Sequence, residues 1–289
     1  MEHLENKKYW IWLSLIKNLG SKRKQRLLEI YKTPDEIYKL KKEELVSVQG
    51  IGENLSDNIL DETIRKGLES HILYMQKNNI DIVSIKDKEY PQILKEIYDP
   101  PISLYIKGNK DILNHHSIAI VGCRDVSDYG KKVAKYFSYN LANQNINVIS
   151  GLAKGVDSYA HIGTLSTCGK TIAVVGTGLD SVYPTENKYL LDKILENGGA
   201  VISEYCLGTK AEKMNFPARN RIISGMSKGV IVIEAKEKSG TLITVDFALE
   251  QGRDVYVVPG NINSINSVGT NELIKQGAKM VTTYKEIKI

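Results

Sequence analysis

Ser117–Arg124, SIAIVGCR, carries four consecutive apolar residues, Ile118 to Val121, closed by a glycine. A run this short and apolar throughout suits a strand buried on both faces, and Gly122 ends it. The polar loop DVSDYG follows. A helical pattern comes next, Val133, Tyr136, Phe137 and Leu141, with Ser127 or Asp128 able to cap it. A strand, a glycine turn and a helix start make an anion site, because unpaired N–H groups and the helix dipole face the loop. Arg124 stands in that loop, where a guanidinium can hold phosphate through two parallel hydrogen bonds.

The same pattern recurs to the end of the chain. Strands are predicted at Asn147–Ser150, Thr171–Val175, Ala200–Ser203, Gly229–Ala235 and Asp254–Gly260, with a short last one at Lys279–Thr282. Helical segments separate them. Regular alternation with short, continuous apolar strands predicts an α/β fold: a Rossmann-like doubly wound parallel sheet with its ligands at the carboxyl ends of the strands. Two further strands are predicted upstream, Ile82–Ile85 and Ile102–Ile106. Between them Tyr90–Pro101 ends in paired prolines that force extended backbone.

Residues 1–70 predict a small all-α domain, preceding a second domain at 71–289. Two similar pieces fill the first, Leu15–Tyr31 and Glu44–Leu60. Each runs from an apolar stretch through a glycine and a polar turn into an amphipathic helix. The second, with Gly50 and Gly52, resembles a helix-hairpin-helix, whose turn amides can touch nucleic-acid phosphate without reading sequence. The first has a basic turn instead, Lys22, Arg23, Lys24 and Arg26. Helical hairpins packed for stability alone explain both pieces equally well.

The formal net charge of +5 is compatible with an anionic partner without requiring one. Three cysteines without a CxxC read as reduced thiols in a cytoplasmic protein, and the five histidines lack metal spacing. The charged N-terminus has no apolar core of a secretory signal, and no apolar run is long enough to cross a bilayer.

The loops expected at the sheet edge hold Arg124, Lys154, Lys213, Arg219, Arg221 and Lys238. A lone surface lysine is usually just solvated; six cations on one edge point to an anionic polymer. In KMNFPARNR, Lys213–Arg221, Phe216 sits among cations, which suits a single strand with phosphates on the charges and a base on the ring. Packing of Phe216 under the loop is the competing reading. Ser239–Thr244, SGTLIT, follows a strand and opens a helix, so Ser239, Gly240 and Thr241 can cradle phosphate, or Ser239 can serve as a plain cap.

Other chemistries fit less well. A dinucleotide site needs GxGxxG after the first strand and an acid after the second. Here Arg124 takes the second glycine's place, and Ser150–Gly151 follow the second strand. No cofactor is therefore expected. There is no GxSxG elbow and no GxxxxGK[ST] loop. Asp157 and His161 lie four apart at a helix start and could share a face as a catalytic pair, or serve as a cap and a packing residue.

Taken together, YPQIL, DPPISLYIKG, IAIVGCR, ISGLAKGVDSYAH, GKTIAVVGTGLDSVYP, FPARNRIISGMS, SGTLIT and VVPG resemble the DprA (Smf) family of DNA-processing proteins. The match runs from Tyr90 to about Ala278, and the N-terminal hairpins resemble the helical, SAM-like domain that often precedes this fold. The resemblance implies single-stranded DNA binding without known catalysis, protection of single strands and loading of the RecA recombinase, notably in natural transformation. It also implies a homodimer built on the Rossmann-like domain, away from any membrane. The DNA-binding set it implies is Gly122, Arg124, Gly151, Lys154, Lys213, Phe216, Arg219, Asn220 and Arg221, with Ser239, Gly240 and Thr241 beside them. Cys123 stands where a serine or threonine is common. Many members carry a C-terminal winged helix, and the sequence given stops at Ile289 after the last strand, so none is expected here. The alternative is an enzyme, a phosphoribohydrolase of the lysine-decarboxylase-like (LOG) group, to whose pattern SGTLIT with Glu250 is loosely similar. A third possibility is an interaction scaffold with an incidental basic edge.

Overall fold

A computed structural model describes residues 2–288. Its N-terminal part is helical: α1 (Glu2–Glu5), α2 (Lys8–Leu15), α3 (Ser21–Tyr31), α4 (Pro34–Tyr38), α5 (Lys42–Val46), α6 (Glu53–Ile59) and α7 (Glu62–Lys77). The first expected hairpin is α2, the turn at Gly20 and α3. The second is α5, the turn at Gly50 and α6. The basic residues expected in the first turn, Lys22 to Arg26, instead lie within α3. Arg23 and Arg26 donate to the carbonyls of Gly50 and Gln49, at 2.9 and 2.8 Å, and so tie the two hairpins together.

The boundary expected at residue 70 falls inside α7. Its buried face, Leu68, Ile72 and Met75, joins one apolar cluster with Trp12 and Leu27 from the hairpins and with Ile82 and Tyr105 from the sheet. The helical part therefore packs directly on the sheet.

The sheet has nine strands: β1 (Ile80–Ser84), β2 (Ser103–Gly108), β3 (Ser117–Val121), β4 (Asn147–Ser150), β5 (Thr171–Val174), β6 (Ala200–Ser203), β7 (Gly229–Val232), β8 (Asp254–Val257) and β9 (Lys279–Met280). Their order is β1-β2-β6-β5-β4-β3-β7-β8-β9. From β6 to β9 neighbours are parallel; β2 pairs antiparallel with β6, and β1 antiparallel with β2. The crossovers carry α8 (Asp128–Ala142), α9 (Val156–Leu165), α10 (Lys188–Glu196), α11 (Asn215–Gly225), α12 (Gly240–Glu250) and α13 (Val268–Lys275).

Side chains of β3 alternate between the faces, as a strand's period of two requires. Ile118 and Ile120 meet Phe137 and Leu141 of α8. Ala119 and Val121 meet Ile222 and Ile223 of α11 and Val245 of α12. A strand with both faces covered needs an unbroken apolar run, which is the pattern of SIAIV. β3 is flanked by β4 on one side and β7 on the other. The winding reverses there, and a crevice opens between the loops that follow β3 and β7.

Candidate nucleic-acid interface

The crevice is a cleft of about 650 Å3. Ser127 caps α8 on one side, its hydroxyl accepting from Gly130 N at 3.1 Å. The loop before it is held from β7's end. Glu234, which is 2% exposed, accepts the Ser127 N–H at 3.0 Å and also takes the Ser127 hydroxyl. Its own carbonyl accepts Cys123 N at 2.9 Å. This carboxylate fixes the loop that presents Arg124. Burial, helped by Glu234, pushes the Cys123 thiol up to about 12, so it is no thiolate at neutral pH.

The loop after β4 packs against the same backbone. Gly155 has φ of +81°, and a Cβ there would meet the carbonyl oxygens of Cys123 and Arg124 at 2.3 and 2.4 Å. Only glycine allows that approach. At Gly151 a Cβ would lie 2.6 Å from the Asp157 carboxylate and 2.7 Å from the Arg219 guanidinium, so a side chain there would push one of them aside.

Of the expected residues, Gly122, Arg124, Lys213 and Phe216 line the cleft, with Arg219 and Asn220 from α11 and Ser239, Gly240 and Thr241 from the start of α12. Gly151 and Lys154 line an adjoining hollow that shares Arg124, Phe216 and Arg219 with the cleft. Arg124, Lys154, Lys213 and Lys238 are exposed. Lys154 pairs with Glu186 at 2.5 Å. Ser239 is the α12 cap, accepting Thr241 N at 3.2 Å.

Phe216 is half-buried. Its ring rests over Gly176, where a Cβ would be 3.2 Å away, and tilts against Tyr183 with centroids 5.3 Å apart. The Arg124 guanidinium lies 5.6 Å from the Phe216 centroid. Packing and an open ring therefore coexist at this residue. Tyr183, 44% exposed, doubles the aromatic surface. The sequence reading assigned it no role; its signal was a tyrosine in a glycine-opened loop at the same edge. Glu234 was missed as well, and an acid closing the apolar run GVIVI was its signal.

Arg219 and Arg221 are buried and bonded within the protein. Arg219 is only 4% exposed and donates to the carbonyls of Gly151, at 2.7 Å, and Val174. It props the floor of the cleft. Burial lowers its guanidinium to about 10, opposed by Asp157, and it keeps its charge at neutral pH. Arg221 lies outside the cleft. Two residues further along a helix is a turn of about 200°, so the neighbours diverge. Arg221 instead bonds Asp99 Oδ2 at 3.0 Å, Glu204 at 2.8 Å and the Ser21 hydroxyl at 3.3 Å, fastening the helical part to the sheet.

Asp157 and His161 have separate partners. Asp157 accepts the amides of Gly151 and Ala153 at 3.1 and 3.4 Å. Burial raises its carboxyl, with Arg219 opposing. His161 is wholly buried on Thr171, 2.7 Å away, and burial drives it down to about 3. Among the described residues no three His, Cys, Asp or Glu could hold a metal, and no helix is long and apolar enough to cross a membrane.

Known proteins share this architecture. The chain is 42% identical over 272 residues to the DNA processing protein DprA of Streptococcus pneumoniae, over 87% of this chain and 96% of that one. It is 41% identical over 213 residues to DprA of Bacillus subtilis, over 73% of this chain and 71% of that one. The solved S. pneumoniae structure superposes with a TM-score of 0.84 at 38% identity, covering 98% of both chains. DNA processing protein A of Helicobacter pylori, whose structure is described for its single-stranded DNA binding mode, superposes with a TM-score of 0.65 at 31% identity, over 71% of this chain and 93% of that one. The family model for DNA recombination-mediator protein A matches residues 81–289, which hold the cleft and all of the sheet but its first residue, and the chain belongs to that family.

Proposed function

We propose that the cleft binds single-stranded DNA with little base selectivity. One observation carries this: the Tyr183–Phe216 ring pair, with the Arg124 guanidinium over Phe216, stands in a cleft that Lys213, Lys236 and Lys238 also line. A single strand exposes base faces and phosphates together, and rings interleaved with cations meet both. The amides at the start of α12 add a phosphate cradle. The H. pylori relative, described as a single-stranded DNA binder, supports the same reading. So does the commitment of Asp157 to backbone amides and of Glu234 to Ser127, which favours binding over base catalysis. The candidate contacts are Gly122, Arg124, Gly151, Lys154, Lys213, Phe216, Asn220, Ser239, Gly240 and Thr241, with Arg219 as their support.

We infer that this binding serves to shield single strands and to load a RecA recombinase in transformation and recombination, with the protein acting as a homodimer, as the family resemblance implies. Exposed Ile262 and Ile265, beyond β8, offer an apolar face for the dimer.

Fluorescence anisotropy of labelled single- and double-stranded oligonucleotides across a salt series tests the proposal. The expected result is tighter binding to the single strand, with a log–log salt slope of about −0.7 per phosphate contact. A flat salt response, or tighter binding to duplex, overturns it.

A further inference from the structure

Tyr98 keeps 84% of its surface in solvent. A single exposed ring is unremarkable by itself. Three neighbouring facts make this one different. Lys22 Nζ lies 3.8 Å from its centroid, the same pairing of cation and ring that Arg124 and Phe216 make in the cleft. Both partners stand on anchored backbone. Arg221 bonds the Asp99 carboxylate and carbonyl and the Ser21 hydroxyl, the chain neighbours of Tyr98 and Lys22, and Gln25 donates to the Pro100 carbonyl at 2.5 Å. The anchor is also the helix that lines the cleft. Arg221 follows Asn220, a cleft residue, and lies about 7.5 Å along the α11 axis from Phe216.

We propose that Tyr98 and Lys22 form a second stacking step for the same single strand, reached as it leaves the cleft across α11. A base takes the open face of the Tyr98 ring and a phosphate meets the Lys22 ammonium. The rigid mounting lowers the ordering cost of that contact. The step rests on the cleft reading above, so its test separates the two.

The experiment uses the full chain and two oligothymidylates, about five and about fifteen nucleotides long, bracketing the span of one stacking site. Tyr98→Ala is expected to weaken the longer strand by about 5-fold or more, the low end for one stacked base, and the shorter by less than about twofold. Tyr98→Phe keeps the parent affinity for both. Lys22→Gln lowers the salt slope for the longer strand alone, by about 0.7. Arg124→Glu weakens both lengths. If Tyr98→Ala binds both lengths as the parent does, or weakens both equally, the second step is overturned while the cleft stands. A Tyr98→Phe protein as weak as Tyr98→Ala also overturns stacking. If Arg124→Glu leaves both lengths unchanged, the cleft reading fails and takes the step with it.

Discussion

Arg124 and Arg219 share a cleft but not a task, and substitution separates them. Arg124 is exposed beside Phe216, where a carboxylate would repel a phosphate held by the α12 amides. Arg124→Glu is expected to cost at least about 1.5 kcal/mol of binding, the lower end for a charged hydrogen bond, with little change in melting temperature. Arg23→Glu should cost less, because Arg23 spends its guanidinium on Gly50 and sits in screened solvent. Anisotropy on one oligonucleotide decides the order, and a larger loss for Arg23→Glu would move the site to the hairpins. Arg219→Met instead strands Asp157 as a buried charge and should lower folding stability by about 3 kcal/mol, visible in urea melts. His161 gives a pH signature. Burial holds it near 3 in the fold, against about 6.5 when unfolded, so the unfolded chain takes up the proton first as pH falls. Stability is full above about pH 6.5 and drops below it by up to about 1.4 kcal/mol per pH unit. The His161 ring signals in NMR should stay still from pH 8 to 5; movement centred near 6.5 would refute the assignment.

At the scale of elements, the strands were legible because a both-faces-buried strand leaves no room for polar alternation. Ser117–Val121, Asn147–Ser150 and Ala200–Ser203 fall where the apolar runs put them. Their ends were less so: Gly229–Ala235 shortens to Gly229–Val232, since burial continues to Ala235 after the ladder stops. That these loops share one sheet edge was readable from the sequence, whereas Arg221 faces away from the cleft because helix phase, not sequence distance, decides direction. The antiparallel pairing of β1 and β2 depends on non-local contacts that no periodicity announces. The seam made by Arg221, Glu204 and Ser21 was equally hidden, and it should be acid-sensitive. Burial alone would raise the Glu204 carboxyl, but the charge and hydrogen bonds of Arg221, with Ser21, outweigh it and hold the group below its usual range. A depressed folded pKa contributes stability above the unfolded value, near 4.3, that is lost as pH falls toward the folded one. Glu204→Gln should therefore cost about 3 kcal/mol at pH 7 and progressively less below about pH 4. Urea melts at both pH values check this, and an equal loss at each would contradict the pairing.

At the scale of the molecule, the question is how one cleft of ordinary size would serve a long strand. Ile262 and Ile265, beyond β8, are 87% and 68% exposed. Met280, half-exposed at the end of β9, pairs with Val257 of β8, so the three belong to the same end of the same sheet edge. β9 itself is two residues long and offers little ladder to a partner strand, so association here would run through side chains rather than an extended sheet. A stable contact buries about 800 Å2 on each partner, more than these residues alone provide, so a dimer must extend from them onto neighbouring polar surface. The edge lies two strands from β7. Two clefts on one assembly raise the effective concentration of the second for any strand that spans them. Light scattering at tens of micromolar protein should thus give twice the 32.3 kDa chain mass, in the range where specific interfaces form. Ile262→Glu with Ile265→Glu should return the single mass. That monomer should bind strands of about fifteen nucleotides like the parent and lose affinity only for strands long enough to reach two clefts. A parent protein that is monomeric throughout this range, or a double variant that stays dimeric, would remove this edge as the means of holding a long strand.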